Sequence, residues 1–402
     1  MTPANNTGNE TSNDKISFFR GQFVSPFNST SGDASELFHF NNAGQTPMCR
    51  PALVMLEKWA RRFYEEGAHV YPSLVKEMSE ARKAVADVLG CQARELAFFQ
   101  SAAGAISQVA LGFDFKPGDE IIVWEQEYPS NLYPWNEAAR RTGAKLVIAK
   151  NEPDFSTPVE ALQRLITPRT RLIASSWVQF RTGAMLDLEA LVELARPKGI
   201  FTCIDIIQGA GLLPFDFQAS GIDAACGGSH KWMTGAHGAG FLALREENLE
   251  RLTPLMFGAA TITSPDYAPD LNGRPRSDSQ RFEPGGKAFL EILALAEAAK
   301  LITDTGIARI AQEAEWLARN LMHGLREHGY VINSPHGPSH FRGAIVSFKP
   351  GPDSPLKSFA EIEKRLSDNH VSYGLRPPGV RLSPHAFNTL DEIERVLKLL
   401  ST

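Results

Sequence analysis

The sequence predicts an α/β layered protein with a largely parallel sheet, followed by a smaller α+β domain. Short apolar runs alternate with longer amphipathic ones, the pattern of strands joined by crossover helices. Two of the amphipathic segments end at Gly143 and Gly199, as helix C-termini do. Beyond a stretch rich in Pro, Asp, Ser and Gly at 261–281 the pattern changes to two long helices and then shorter strand and helix runs. A chain of 402 residues also exceeds what one hydrophobic core covers, so two to three units of domain size are expected.

Taken in order, the first fifteen or so residues (MTPANNTGNETSNDK) are polar and without apolar period, and read as a disordered start to an arm spanning 1–36. From Leu37 the strand-like runs are LAFFQ (96–100), EIIVWE (120–125), KLVIAK (145–150), RLIASSWV (171–178), FTCIDII (201–207) and GFLAL (240–244). The helical patterns between them include 73–89, 130–143 and 187–199. A large domain over 37–285 follows from this alternation, with a small C-terminal domain over 286–402 that opens with helices at 287–303 and from Ile307 to about Gly329.

The 43% hydrophobic and 22% charged residues describe an ordinary globular chain able to build a core. With 41 basic against 46 acidic side chains the net charge is −5, which gives no basic surface for nucleic acid or an anionic membrane. No run approaches the roughly 18 apolar residues of a bilayer span, and no export signal opens the chain, so a cytoplasmic location is expected. Cys49, Cys91, Cys203 and Cys226 are widely spaced and read as buried thiols, not as disulfide or zinc partners. The glycosylation-type matches at Asn5, Asn9 and Asn28 read as chance.

Ligands of open α/β sheets gather at the carboxyl ends of strands, and four places there carry chemistry. Ser101-Ala102-Ala103-Gly104 opens a helix whose free N–H groups suit a phosphate, although taken alone the stretch is better read as a plain strand-to-helix turn. Asp205 and Gln208 close an apolar strand, where a buried carboxylate needs a partner: a protonated ring nitrogen, a helix N-terminus or an arginine. Lys231, in GGSHKW, lies between apolar runs, an unusual place for lysine and one suited to a Schiff-base amine. Arg381, in an extended segment before the last helix, offers a fork for a carboxylate, with a surface ion pair as the plainer alternative.

These four lie in the order phosphate turn, aspartate, lysine, arginine, and with FNNAGQTPM (40–48), DIIQGAGLLPFDF, GGSHKW, RFEPGG (281–286) and RLSPHAFNT the chain resembles the class V aminotransferase family of fold-type I pyridoxal-phosphate (PLP) enzymes. That family includes cysteine desulfurases, selenocysteine lyases, kynureninase and isopenicillin N epimerase. The resemblance implies that Lys231 carries PLP and moves protons at the substrate α-carbon, that Asp205 keeps the ring nitrogen protonated, and that Gln208 bonds the phenolate oxygen. It places Ala102 and Ala103 amides with Ser229 and His230 at the phosphate, Tyr128 stacked on the cofactor, Gln179 beside cofactor and carboxylate, and Arg381 with Asn41 at the substrate. Where many relatives have histidine this chain has Tyr128, so stacking is expected while acid–base work is not, a phenol being a weak acid.

Two departures matter. Relatives often read Gly-Thr-Pro where this chain has Gly285-Gly286-Lys287, so Gly286 offers a partner subunit's phosphate only a backbone N–H, and Lys287 adds charge. Desulfurases carry a nucleophilic cysteine just before the carboxylate-binding arginine, whereas Asn369 to Arg381 holds none. The resemblance thus implies an enzyme acting at the α-carbon of an amino acid with a free carboxylate. A lyase expelling a β-substituent, with carbon–sulfur cleavage in view, ranks ahead of an epimerase or aminotransferase, and a non-catalytic PLP-binding scaffold is the distant alternative. A homodimer is expected, as in the family.

Other motifs are thin. No P-loop or dinucleotide signature occurs. Ser73–Lys76 and Ser367–Asn369 match the SxxK and SDN of penicillin-recognising enzymes, but no KTG follows. His336 and His340 sit in a Gly- and Pro-containing run that reads as a loop, so no metal site is expected.

Overall fold

The computed structural model of the protein describes residues 7–23, 37–263, 271–335 and 343–402; His336 and His340 lie outside them. The strands are β1 (Phe38–His39), β2 (Leu96–Phe99), β3 (Glu120–Trp124), β4 (Lys145–Ala149), β5 (Thr170–Ser176), β6 (Phe201–Asp205), β7 (Ala224–Gly228), β8 (Gly240–Leu244), β9 (Val331–Ile332), β10 (Val346–Lys349), β11 (Val371–Ser372), β12 (Gly374–Arg376) and β13 (Gly379–Leu382). Seven of them form the main sheet in the order β2-β8-β7-β6-β5-β3-β4. Only β8 runs against the other six.

Six of the seven strands of this sheet appear where the apolar runs predict them, and β7 leads into the GGSHKW segment. β3, β6, β7 and β8 are buried along their whole length, as strands covered on both faces are. The direction of β8 was not legible in its composition. It follows from the eleven residues 229–239, which turn back without a crossover helix, so that β7 and β8 pair antiparallel. That short return is the segment that carries Lys231.

Helices Arg50–Glu66 and Tyr71–Leu89 both pack on Phe289–Thr305, which is buried along most of its length. This last helix begins just past the expected domain boundary yet joins the first part of the chain. A second, antiparallel sheet has the order β12-β13-β10-β9, flanked by helices Ile307–Glu327, Phe359–Asp368 and Leu390–Leu400. β1 pairs in parallel with β11, and Asn41 bridges to Ser383, so the start of the ordered chain is stitched to its end. This stitching brings residues 340 positions apart into one site.

The N-terminal segment departs from expectation, because residues predicted to be disordered fall in a helix, Thr7–Arg20. Most of its anchors lie at its far end, beyond the polar stretch on which the expectation was built, and Lys15 at the close of that stretch donates to the Asp304 carbonyl at 2.8 Å. Arg20 donates to the carbonyls of Phe387 (3.1 Å) and Asn388 (2.9 Å) and pairs with Glu313 at 3.2 Å. Phe19 and Phe23 are buried against His385, and Phe23 stacks on Phe387. Tertiary contacts decide the state of a segment whose own composition does not. The four cysteines are free thiols, three buried and Cys91 partly so. Among the described residues no helix is long and apolar enough to cross a membrane.

Candidate active site

The carboxyl ends of β3, β5, β6 and β7 converge on Lys231. Asp205 is the last residue of β6; it is buried and accepts a bond from the Ile207 amide at 2.9 Å. Burial pushes its carboxyl up to about 6, against the pull of that amide and of the Lys231 ammonium. Lys231 is pushed down to about 8, first by burial; Asp205 opposes the shift, and the nearby Arg381 and Arg376 cations add to it. Each group is thus held far nearer neutrality than in water, the condition in which a lysine serves as a nucleophile or base.

The turn that presents Lys231 is fixed from several sides. Thr234 donates its amide to the Lys231 carbonyl at 2.8 Å and adopts φ +53°, a left-handed conformation uncommon for a β-branched residue. Gly211 lies directly beneath at φ +85°, where a Cβ would come within 2.7 Å of the Trp232 carbonyl oxygen. The Thr46 amide donates to the His230 carbonyl at 3.0 Å. Trp232 donates its indole N–H to Gln208 Oε1 at 2.8 Å, and Gln208 Nε2 donates to the Ala43 carbonyl at 2.9 Å. Gln208 therefore braces the lysine loop and keeps one amide hydrogen for a ligand.

A residue that sequence reasoning missed is Glu127, next to Tyr128. Its buried carboxylate accepts from the Ser176 amide (2.8 Å), Ser176 Oγ (2.5 Å), Asn131 Nδ2 (2.9 Å) and Gln179 Nε2 (2.8 Å). Burial outweighs these donors and raises its pKa. The rule that singled out Asp205, an acid at the end of an apolar strand, applies equally to EIIVWEQE. Since Glu127 holds the Gln179 amide nitrogen, the buried Gln179 Oε1 is left without a partner. Tyr128 is 43% exposed, edge-on to Phe180 at 5.1 Å, and its ring centroid lies 5.7 Å from Lys231 Nζ.

Arg381 closes the site from β13. Its Nη1 donates to the Phe180 carbonyl (2.6 Å) and its Nη2 to Asn41 Oδ1 (2.9 Å), while Nε has no partner. No carboxylate pairs with it among the described residues, and burial together with Arg376 lowers its pKa to about 9. A buried, unpaired cation is costly unless an anion arrives to meet it.

The phosphate turn lies beside this group. Ser101 caps the helix Ala102–Gly112 by accepting the Gly104 amide at 3.1 Å, and the first amides, of Ala102 and Ala103, have no acceptor within the helix. Gly228 keeps the adjoining space open, since a Cβ there would stand 3.8 Å from the Ala102 nitrogen and 3.7 Å from His230 Nδ1. His230 stacks on His237 at 4.2 Å, and burial, with His237 and Lys231 beside it, lowers its pKa to about 4. Two further residues expected at a phosphate have these surroundings. The Ser229 hydroxyl donates to the Ala236 carbonyl. Gly286 stands on an exposed turn with open space around it, and Lys287 pairs with Glu283.

These features fit PLP: a lysine and an acid for its aldehyde and ring nitrogen, an open cradle of amides for its phosphate, and an orphaned guanidinium for a substrate carboxylate. The comparisons agree. The class V aminotransferase profile matches residues 39–351. A probable cysteine desulfurase of Pyrococcus abyssi is 26% identical over 91% of this chain and 94% of its own length. An isopenicillin N epimerase of Amycolatopsis lactamdurans is 29% identical over 80% and 83%. The solved structure of the cystine C–S lyase C-DES with its product cysteine persulfide superposes with a TM-score of 0.82 at 23% identity, covering 90% of this chain and 97% of that one. The chain belongs to the class V aminotransferase family and is a PLP-dependent enzyme.

Proposed function

We propose that the enzyme is a lyase that removes the α-proton of an amino acid with a free carboxylate and expels a β-substituent, with carbon–sulfur cleavage the leading case. The observation that carries this reading is the grouping of Lys231, Asp205 and an unpaired, buried Arg381 at one end of the sheet. PLP, when bound, supplies a sink for the electron pair left at the α-carbon. Asp205 stays ionised at neutral pH and keeps a ring nitrogen protonated. Lys231, with its pKa near 8, takes the α-proton and can return it to a leaving group. Arg381 Nε binds one carboxylate oxygen and so orients the α-carbon towards Lys231.

The hairpin of β12 and β13 is tight, and residues 369–381 contain no cysteine, which supports elimination without a persulfide on the protein. The epimerase relative motivates a second reading, which requires a proton donor on the face of the α-carbon opposite Lys231. A homodimer belongs to the proposal. Leu255, Met256 and Phe257 are 43%, 56% and 59% exposed beside the turn that carries Gly286, and Ala260 bonds the Pro284 carbonyl there at 3.1 Å. The proposed location is cytoplasmic.

The test is a visible absorption spectrum of the PLP-loaded protein before and after L- and D-amino acids and S-substituted alanines, with keto-acid and ammonia assays on the same samples. A band that shifts with release of a keto acid and ammonia supports the lyase. A shift without release, and with inversion at the α-carbon, transfers the assignment to the epimerase.

A further inference from the structure

The same site holds a third cation whose position gives it a role. In the β12–β13 pair Gly374 stands opposite Arg381, and Arg376 opposite Gly379. Residues directly opposite share a face of the sheet, as do residues two apart along a strand, so Arg376 and Arg381 project from the same face as diagonal neighbours. At Gly374 the face is bare: a Cβ there would lie 3.2 Å from both Nε and Nη2 of Arg381, which shows that the Arg381 guanidinium passes over this glycine. Arg376 is the next side chain outward on that face.

Its charge has no counter-ion in the protein. Arg376 is exposed and donates Nη1 to the neighbouring Leu375 carbonyl at 2.8 Å, and no carboxylate among the described residues forms an ion pair with it. Its field nevertheless reaches inward, for it is among the charges that depress both Lys231 and Arg381. An α-carboxylate on Arg381 satisfies one of these cations, and Asp205 answers Lys231. The outer cation is left for the part of the substrate beyond the α-carbon.

Resting on the lyase reading above, we propose that Arg376 recognises an anionic group on the substrate side chain, so that the preferred substrates are amino acids with a second acidic function. The shared chemistry is a pair of anionic oxygens on the side chain, met by a guanidinium fork at the mouth of the pocket. Its partial exposure makes the contact one of selectivity and encounter more than of deep affinity, and it weakens with salt.

The probes are S-carboxymethyl-L-cysteine and its amide, S-carbamoylmethyl-L-cysteine, which have the same shape and differ in charge. Their dissociation constants are read by titrating the visible band of the PLP-loaded protein at low and high ionic strength, without reliance on turnover. The carboxylate is expected to bind at least about fivefold tighter at low salt. Arg376→Gln should bring the two within about twofold, Arg376→Lys should restore most of the preference, and Arg381→Gln should weaken both compounds together. Equal affinities in the unmodified protein, or a preference that survives Arg376→Gln, would overturn the assignment. Loss of the visible band before any amino acid is added would instead locate the failure in the PLP–lysine reading on which it rests.

Discussion

Two of the buried arginines, Arg82 and Arg381, have different surroundings. Arg82 meets Glu283 in a fork at 2.7 and 2.9 Å and also donates to the Leu96 carbonyl at 2.6 Å. Glu283 accepts in addition from the Phe98 amide and pairs with Lys287; burial alone would raise its carboxyl, but the two cations hold it below its ordinary range. Arg381 is as deeply buried but meets a carbonyl and an amide oxygen, with Nε left open. A cation whose charge is answered inside the protein serves the fold, and one whose charge is left unanswered is reserved for a ligand.

The sharpest way to break this contrast is to truncate both. Arg82→Met strands Glu283 without its fork and should cost about 3–5 kcal/mol of stability in urea unfolding. Arg381→Met removes an uncompensated cation, and its loss of stability should be clearly smaller. It should instead weaken amino-acid binding by roughly thirtyfold or more, the effect expected when one partner of a desolvated charge pair is removed. Similar stability losses with unchanged binding would erase the distinction.

A smaller effect sharpens it through pH. The rate at which the cofactor-free protein captures PLP depends on the neutral fraction of Lys231, which falls below its folded-state pKa. With that pKa lowered from 10.5 to about 8, capture should rise with pH, reach half its maximum near 8 and level off above that. A stopped-flow absorbance series showing a climb that continues past pH 10 would mean that Lys231 is an ordinary solvated lysine.

Much of the sheet was legible because parallel strands covered on both faces must be apolar throughout, and 201–205 and 240–244 declare that plainly. The candidate residues Asp205, Lys231 and Arg381 stood out because each breaks an apolar environment with a charge. What could not be read was who answers those charges. The contact of the Ser229 hydroxyl with the Ala236 carbonyl is a matter of loop geometry over seven residues. Glu127 was overlooked because Tyr128 beside it drew the comparison, although the acid organises Asn131, Ser176 and Gln179. The helix Thr7–Arg20 was unreadable from its own residues, since its docking partners at 386–388 lie at the other end of the chain.

The central claim is that Lys231 is the residue that holds the cofactor, and it is tested most directly by loading the protein with PLP, reducing with borohydride and mapping the modified peptide by mass spectrometry. The predicted result is a single pyridoxyl group on Lys231, absent from Lys231→Ala, which should also have lost turnover by far more than tenfold. A label on another lysine, or undiminished activity in Lys231→Ala, would contradict the account.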